Sequence, residues 1–561
     1  MLSGNLLHMI KTIMTIHTLV NPAFSFFKKT ISITLLSLCM PLFADSSDAA
    51  KNSHHYAEIS NMLIDGSFSE KQQAISLIAN WPNAGAIAAL EALMNGNLLY
   101  DLRDRSLIAS TEAVLMTVTP MGLTPYQGSP DYTDRVRINN RIRSDSRKIL
   151  ASLQLISDRR EVRASAISEM LRQLDTQDLE RIAIARAQES DDRIATQMDI
   201  ALRIGILVNG ESDTETLISA IEWLSHHLEP AAYNAITRVY KTHEDSEVTQ
   251  AAKRAIKRIE SKKNLFKNIE TLFFGLSLGS VLVLAAIGLA ITFGVMGVIN
   301  MAHGELIMIG AYTTFVIQQL MPNNISLSII VAIPTAFLVT AMVGIAMERL
   351  VIRHLYGRPL ETLLATFGIS LILQQAVRTI FSPLNQSVST PDWMSGMLHI
   401  NTALSLSWNR IYIILFCLFT FFTLLMIMKR SALGLQVRAV SQNRTMARAM
   451  GVRSERVDIL TFALGSGIAG IAGVALSLIT NVGPNLGQSY IIDSFIVVVF
   501  GGVGNLYGTL VAGMSLGVLN KFMEPWAGAV LAKILLLVFI ILFIQKRPKG
   551  LFPQRGRAVE N

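Results

Sequence analysis

Two patterns of apolar residues divide the 561-residue chain. From about residue 45 to 264, Leu, Ile and Ala recur at three- and four-residue intervals among charged side chains, the spacing of one buried face on a soluble helix. From Ile269 onward the apolar residues become nearly continuous, in runs that match the roughly 20 residues of helix needed to cross a bilayer. These runs predict nine spans, near 270–294, 302–320, 325–347, 361–381, 409–428, 457–480, 490–503, 505–523 and 527–544. The seventh is short and leads into "GGVGNLYG" at 501–508, which marks it as a broken or half-depth helix, tolerated only where protein or a cavity surrounds it. The expected fold class is all-α. A soluble helical domain, 45–264, precedes a polytopic membrane domain of eight or nine spans, 265–548, and a short tail, 549–561.

Within the soluble half, "DRREVRASAISEMLRQL" (158–174) and "HEDSEVTQAAKRAIKRIES" (243–261) share an acidic start, a Val and an Ala-rich helix, and "DDRIATQMDIALRIGIL" (191–207) is a weaker third copy. Such units resemble HEAT-type repeats, in which a helix pair buries its apolar face by stacking on a neighbour. A generic bundle of amphipathic helices gives the same spacing, and both readings stay open. The paired histidines 54–55 and 226–227 diverge on a helix, which favours surface positions over metal ligation. Ahead of this half, Lys28 and Lys29 precede a short apolar run from Ile31 to Phe43 and a small residue, Ala44. That order reads as a signal peptide, 1–44, cleaved after Ala44, so that the helical domain is exported.

Composition agrees with a membrane protein: 51% of residues are hydrophobic, 16% are charged, and mean hydropathy is +0.42. The net charge of +8 does not point to nucleic acid, because the basic residues sit in short loops beside apolar spans. Two cysteines, Cys39 and Cys417, exclude a disulfide framework or a Cys-based metal site.

Charge also orients the spans. Arg349, Arg353, Arg358, the segment Lys429 to Asp458 and Lys546, Arg547, Lys549, Arg555 and Arg557 are basic, whereas the loops around 321–324, 382–408, 481–489 and 524–526 contain no Lys or Arg. The positive-inside rule makes the first set cytoplasmic. With nine crossings and a cytoplasmic C-terminus, the domain before the first span lies outside, where a signal peptide would send it. The 429–458 loop carries seven Lys or Arg against two acids. Inside it, "NRTMARAMGV" predicts a short helix that exposes small and apolar residues, Ala447 and Met450 among them, and ends at Gly451. Such a helix suits docking into a groove on a cytoplasmic partner; lipid anchoring accounts for the arginines alone.

This segment resembles the coupling loop of ABC importer permeases. "VINMAHGELIMIGAY" (298–312), "ATFGISLILQ" (365–374) and "GGVGNLYGTLVAG" (501–513) are similar to signature stretches of the branched-chain amino-acid permease family, over roughly 270–550. A long exported domain ahead of this half resembles the urea-transporter branch of that family. The resemblance implies an inner-membrane importer subunit, not an enzyme: a periplasmic binding protein delivers a small polar solute, a second permease subunit or second copy completes the path, and cytoplasmic ATPase subunits drive it. Coupling then falls to Arg444, Ala447, Met450 and Gly451. The chain has no GxxxxGK[ST] phosphate loop, so ATP would be bound by the partner and no cofactor by this chain.

Polar residues at membrane depth are the candidates for a solute path or gate: Asn300, His303 and Glu305 at the start of the second span, Thr366 with Gln374 and Gln375 in the fourth, and Asp493 near the seventh. Ionisable groups there cost roughly 2.5–3.5 kcal/mol on insertion scales, so they face protein or a cavity. For His303 and Glu305, closure of a helix start and a gate role are equally compatible with the sequence. Thr313 and Thr314 suit back-bonding to helix carbonyls. Gly501, Gly502, Gly504 and Gly508 suit close helix packing and a bent backbone rather than a dinucleotide site. Asp493 and Lys533 are expected to pair or to line one polar seam. Hydroxyls and amides would serve a neutral amide such as urea, while an amino acid would favour paired charges. Branched-chain amino acids and short amides remain the alternative solutes, and a passive urea channel a further reading.

Overall fold

The computed structural model describes residues 46–553, apart from 82, 112–113, 176–177 and 210–212. The signal segment with Cys39, and Arg555 and Arg557 of the tail, lie outside the described residues. Two units emerge: one holds the described residues to Leu224 together with Asn234–Ala252, the other Ser225–Tyr233 and everything described from Lys253. The boundary falls earlier than the expected 264, because α10 (Ser246–Met296) is one helix of 51 residues. No Gly or Pro interrupts residues 246–274, so nothing in the backbone stops the helix between its charged and its apolar stretch.

The first unit is mainly helical: α1 (Ser46–Ile64), α2 (Phe68–Ile78), α3 (Asn83–Met94), α4 (Asn140–Gln154), α5 (Arg160–Met170), α6 (Asp178–Gln188), α7 (Asp192–Asn209), α8 (Thr214–Leu224) and most of α9 (Pro230–Thr242). The repeat-like stretches 158–174 and 191–207 become α5 and α7. Between α3 and α4, however, lies an antiparallel sheet that helical spacing does not predict: β1 (Leu98–Asp101), β2 (Leu107–Thr111), β3 (Val114–Thr119), β4 (Gly122–Pro125) and β5 (Thr133–Arg135), in the order β4-β3-β2-β1-β5. Strands of three to six residues are too short to display alternation. The signal that does exist is local: Gly96 and Gly122 both take positive φ, and Thr119 pairs with Gly122 across the Pro120–Met121 turn. Ile59, Ile75, Leu90 and Leu93 from the helices close a core with Leu98, Leu107 and Val118 of the sheet.

In the second unit, α10 is followed by α11 (His303–Leu320), α12 (Ile325–Leu350), α13 (Pro359–Phe381), a hairpin of β6 (Met397–Asn401) and β7 (Leu404–Ser407), α14 (Trp408–Arg430), α15 (Ala432–Gln442), α16 (Arg444–Ala449), α17 (Ser454–Ser477), α18 (Leu486–Gly501) and α19 (Leu506–Lys546). Among the described residues, six helices are long and apolar enough to cross a membrane: α10, α12, α13, α14, α17 and α19. The last is two spans in one. Pro525 lies inside it and Gly528 has φ 76° and ψ 163°. Gly508 abuts Gly501, and the Leu551 N–H donates to the Phe500 carbonyl at 2.9 Å, so both ends of α19 return to the same place and its two arms run antiparallel. With the 18-residue α11 and the 16-residue α18, nine apolar segments result, as the spacing predicts.

The loops sort onto two faces. On one, Arg353 pairs with Glu455 at 2.9 Å, Lys429 donates to the Tyr507 hydroxyl at 2.8 Å, Val295 packs on Val437, Val440 and Val457, and Gly550 abuts Gly502. On the other, Gln386 pairs with Val482, Trp393 donates to the Ser326 hydroxyl at 3.2 Å and Gln318 bonds Ser389. The basic segments therefore share one face, and the loops without Lys or Arg share the opposite one.

In the first unit, Asp101 closes the end of β1, between β2 and β5. Its carboxylate accepts from the Tyr126 hydroxyl at 2.6 Å and from the Arg103 N–H at 2.8 Å, which together with the Arg103 guanidinium lower its pKa from 3.8 to about 2. A depressed folded-state pKa contributes stability that is complete above 3.8 and vanishes as pH falls through about 2. Asp101→Asn should therefore remove part of the acid-induced loss of stability in that window while leaving the neutral-pH fold in place. Trp81 fluorescence of the full-length protein with Trp223, Trp393, Trp408 and Trp526 replaced by Phe, titrated from pH 5 to about 2, measures it, and identical acid transitions with and without Asp101→Asn would refute it.

Candidate functional site in the membrane bundle

α11 does not start at the membrane surface. The His303 Nε2–H donates to the Ala285 carbonyl at 2.9 Å, and the imidazole lies against Gly288, although α10 continues to Met296. Eleven residues of helix are about 16 Å, so residues 297–302 run back alongside α10 and α11 begins at that depth. α18 begins there too. Gly304 and Gly487 are the second residues of their helices, and a Cβ on either would fall within 2.6 Å of the other's backbone. Two helix N-termini thus meet inside the bundle, where the sequence marks only the later helix as interrupted. The dipoles of the two helix starts favour negative charge at this point.

Glu305 supplies it. Its side chain is 1% exposed, and one oxygen accepts from the Ser370 hydroxyl at 2.9 Å and from the Gln374 amide at 2.7 Å. Thr366, one turn earlier on α13, accepts from the Met301 N–H at 3.1 Å and donates to the Leu363 carbonyl. Asn300 accepts from the Ala302 N–H at 3.0 Å. Thr366, Ser370 and Gln374 form one polar stripe at four-residue spacing, and this stripe faces α11. Gln375 is exposed, and Thr313 and Thr314 bond back to the carbonyls of Ile309 and Gly310. The Asn300 amide nitrogen and the second Glu305 oxygen are buried with no hydrogen-bond partner.

Asp493 does not join this cluster. It lies on α18 in a cleft of about 180 Å³ with Lys521, Glu524 and Lys533, above an apolar floor of Leu278, Leu282, Leu516 and Leu536, and Lys533 donates to it at 3.4 Å. Sequence reasoning overlooked Ser370, whose place on the stripe is recoverable from its spacing, and Arg378, which donates to Asn485 at 2.8 Å.

At the basic face, the 429–458 loop folds as α15 and α16, capped by Ser431 and Asn443. Here the structure corrects two expectations about which side chains point outward. Ala447 is buried among Val437, Val440 and Val457, and Arg444 turns inward to pair with Asp458 and donate to the Tyr356 hydroxyl. The exposed apolar residues of α16 and its end are Met446, at 60%, and Met450, at 79%. Helical spacing identifies the faces of so short a helix but not which of them meets the bundle. Gly451 ends the helix with φ 87°, and the Val452 N–H reaches back to the Ala447 carbonyl. Gly501 and Gly508 pack backbone to backbone, Gly294 abuts Gly504, and Gly502 bends the chain with φ 104°.

Stranding one member of a buried pair costs more than removing both. Gln374→Leu should destabilise the second unit by about 1–3 kcal/mol, because Glu305 loses a donor without access to water. Adding Glu305→Leu should recover part of that loss. Thermal unfolding of the four proteins in detergent gives the coupling, and strictly additive losses would mean that the two side chains act separately.

A family model described as the permease component of the branched-chain amino acid transport system matches residues 271–544. The high-affinity branched-chain amino acid transport system permease protein BraD of Pseudomonas aeruginosa is 29% identical over 296 residues, which cover 51% of this chain and 96% of that protein. The corresponding permease protein LivH of Salmonella typhimurium is 28% identical over 293 residues, 50% of this chain and 94% of its own length. A probable LivH from Methanocaldococcus jannaschii is 24% identical over 287 residues, 48% of this chain and 88% of its length. No solved structure matches. The matched residues coincide with the nine apolar segments, the polar helix starts and the loop of α15 and α16, and this membrane half of the chain belongs to the family of branched-chain amino acid transport permease components.

Proposed function

We propose that the chain is the permease subunit of an ATP-driven importer of a bacterial inner membrane, and that its solute is a small neutral amide of the urea class. The observation that carries the solute class is the cluster at the two helix starts. Apart from the His303 imidazole, which is spent on the Ala285 carbonyl, its members are amides, hydroxyls and one carboxyl group, and it retains an unspent donor nitrogen on Asn300 and one unspent acceptor on Glu305. Urea offers N–H donors and a carbonyl acceptor without net charge, the complement of that pair. The long domain ahead of the first span, present here and outside the family match, suits the same reading through its likeness to the urea-transporter branch.

In this reading the basic face is cytoplasmic, the domain ahead of α10 is periplasmic, a separate ATPase binds ATP and docks on Met446, Met450 and the Gly451 end, and a second permease subunit or copy completes the path. A periplasmic binding protein delivers the solute. A second solute reading, branched-chain amino acids, is favoured by the names of the relatives and by the cleft where the Asp493–Lys533 pair adjoins aliphatic side chains.

Uptake of labelled urea and labelled leucine by cells with and without the gene separates the two. Urea uptake should fall on deletion, with leucine unchanged, and should stop on ATP depletion. Loss of leucine uptake instead would transfer the chain to the second reading, and urea entry that survives ATP depletion would make it a channel. For the docking surface, Met446→Asp with Met450→Asp should reduce co-purification of the ATPase by about tenfold or more, since exposed anchors of this kind are typically worth above 1 kcal/mol each. Undiminished co-purification would exclude α16 as the contact.

A further inference from the structure

We propose that the stretch of α10 just outside its apolar part, together with Arg410 of α14, is a binding site for the headgroups of anionic phospholipids on the membrane surface opposite the basic face. The proposal depends on the second unit spanning a bilayer, and on neither the solute nor the ATPase contact. Between residues 253 and 267 the chain carries seven Lys or Arg against one acid, Glu260. That acid is engaged elsewhere, accepting from the Tyr233 hydroxyl at 2.9 Å. Lys263 and Lys267 are exposed and Lys262 partly so, and among the described residues none of the three forms an ion pair. Arg410, at the start of α14, pairs with no described carboxylate either. Its guanidinium lies over the Phe274 ring of α10, 4.7 Å from the centroid. Glu270, between Lys267 and Phe274, forms no ion pair with either base. Four cations thus stand at one end of the unit with a single acid among them.

Depth decides what can supply the missing anions. α10 reaches the basic face where Gly294 abuts Gly504 and Val295 packs on Val437, Val440 and Val457. The helix between Gly294 and Phe274 is about 30 Å long, the thickness of the hydrocarbon core. Arg410 therefore stands at the hydrocarbon boundary, where a guanidinium without a carboxylate is costly unless it meets a phosphate. Lys263, Lys267 and Phe274 follow one another on one face of α10, at intervals of four and seven residues. Lys267 lies about 10 Å beyond Phe274 and Lys262 about 18 Å. The headgroup layer takes up roughly 5–7 Å of that distance, and charges act across a further 8–10 Å or so in physiological salt. All three lysines, with their long stems, come within range of the phosphates. Lys253, about 31 Å beyond Phe274, does not. The same stretch exposes Leu265, Ile269 and Leu272, the mixture of apolar and basic side chains that suits a helix passing through a headgroup layer. An acidic protein could answer the lysines but would not reach Arg410 at the boundary, so the occupant that serves all four cations is lipid. Because no Gly or Pro interrupts residues 246–274, lipids held here fix the level of α10 in the membrane.

The test places the photocrosslinking residue p-benzoylphenylalanine at the exposed position Ile269 of the full chain. The protein is reconstituted in nanodiscs of phosphatidylglycerol and phosphatidylcholine in equal amounts, and mass spectrometry identifies the adducts. Phosphatidylglycerol should exceed phosphatidylcholine among them by about tenfold. Lys262→Gln with Lys263→Gln and Lys267→Gln should bring the ratio down to about one, and Arg410→Gln alone should lower it about threefold. Lys253→Gln with Arg254→Gln and Lys257→Gln removes the same charge out of range, and should leave the ratio within about twofold of wild type. Where the first triple variant fails to insert, Lys267→Glu supplies the comparison and should lower the ratio about threefold or more. A ratio unchanged by the first set of substitutions overturns the proposal, as does an equal fall in both triple variants, which would reduce the site to diffuse charge. Wild-type protein that gives no lipid adduct at Ile269, or that crosslinks an added acidic solute-binding protein in place of lipid, overturns it as well.

Discussion

Backbone N–H groups inside a bilayer must be satisfied by the protein, since no water is present to do it. The membrane unit breaks its helices in the interior, before His303 and before Leu486, and much of the remaining architecture answers that constraint. The two helix starts are placed against each other at Gly304 and Gly487, where a side chain on either would collide with the opposite backbone. The Glu305 carboxylate sits in the first turn of one, and α13 presents Thr366, Ser370 and Gln374 to complete the hydrogen bonds. The same construction that closes two helix starts leaves a polar centre inside the bundle.

Close backbone approach is the means by which the bundle achieves this. Gly310 and Gly473 bring α11 and α17 together, Gly470 admits Thr340 and Ala336 of α12, and Gly275, Gly279, Gly513 and Gly517 join α10 to the first arm of α19. In lipid there is little hydrophobic drive between helices, so association depends on packing and hydrogen bonds, and small residues at the seam increase both. The exposed Val530, Leu531, Ile534 and Leu535 on the second arm of α19 have no such seam among the described residues and present an apolar surface outward.

Charge is divided by position rather than by amount. On the basic face most arginines are exposed, while Arg444 is withdrawn against Asp458 and Tyr356, which ties the short α16 to α17. A six-residue helix has too little apolar face to hold its own orientation. Its buried Ala447 and this ionic tether fix which side faces outward, and so leave Met446 and Met450 exposed.

The sequence by itself determined the division into a charged and an apolar half, the nine apolar segments, their two faces and the polar positions at membrane depth. Each follows from composition and period, which are properties of neighbouring residues. Only the tertiary structure decided which side chains meet. That Glu305 is held by Ser370 and Gln374, that Asp493 belongs to a different cleft, and that Ala447 and Arg444 turn inward are facts of contact between elements, with hydrogen bonds that join residues 14 to 88 positions apart. The short strands of residues 98–135 were hidden for the same reason, because a strand of four residues is defined by its partners across the sheet more than by its own pattern. Local period reports which face of an element is apolar; what that face is buried against depends on distant parts of the chain, and the physics of hydrogen bonding and burial at membrane depth selects among them.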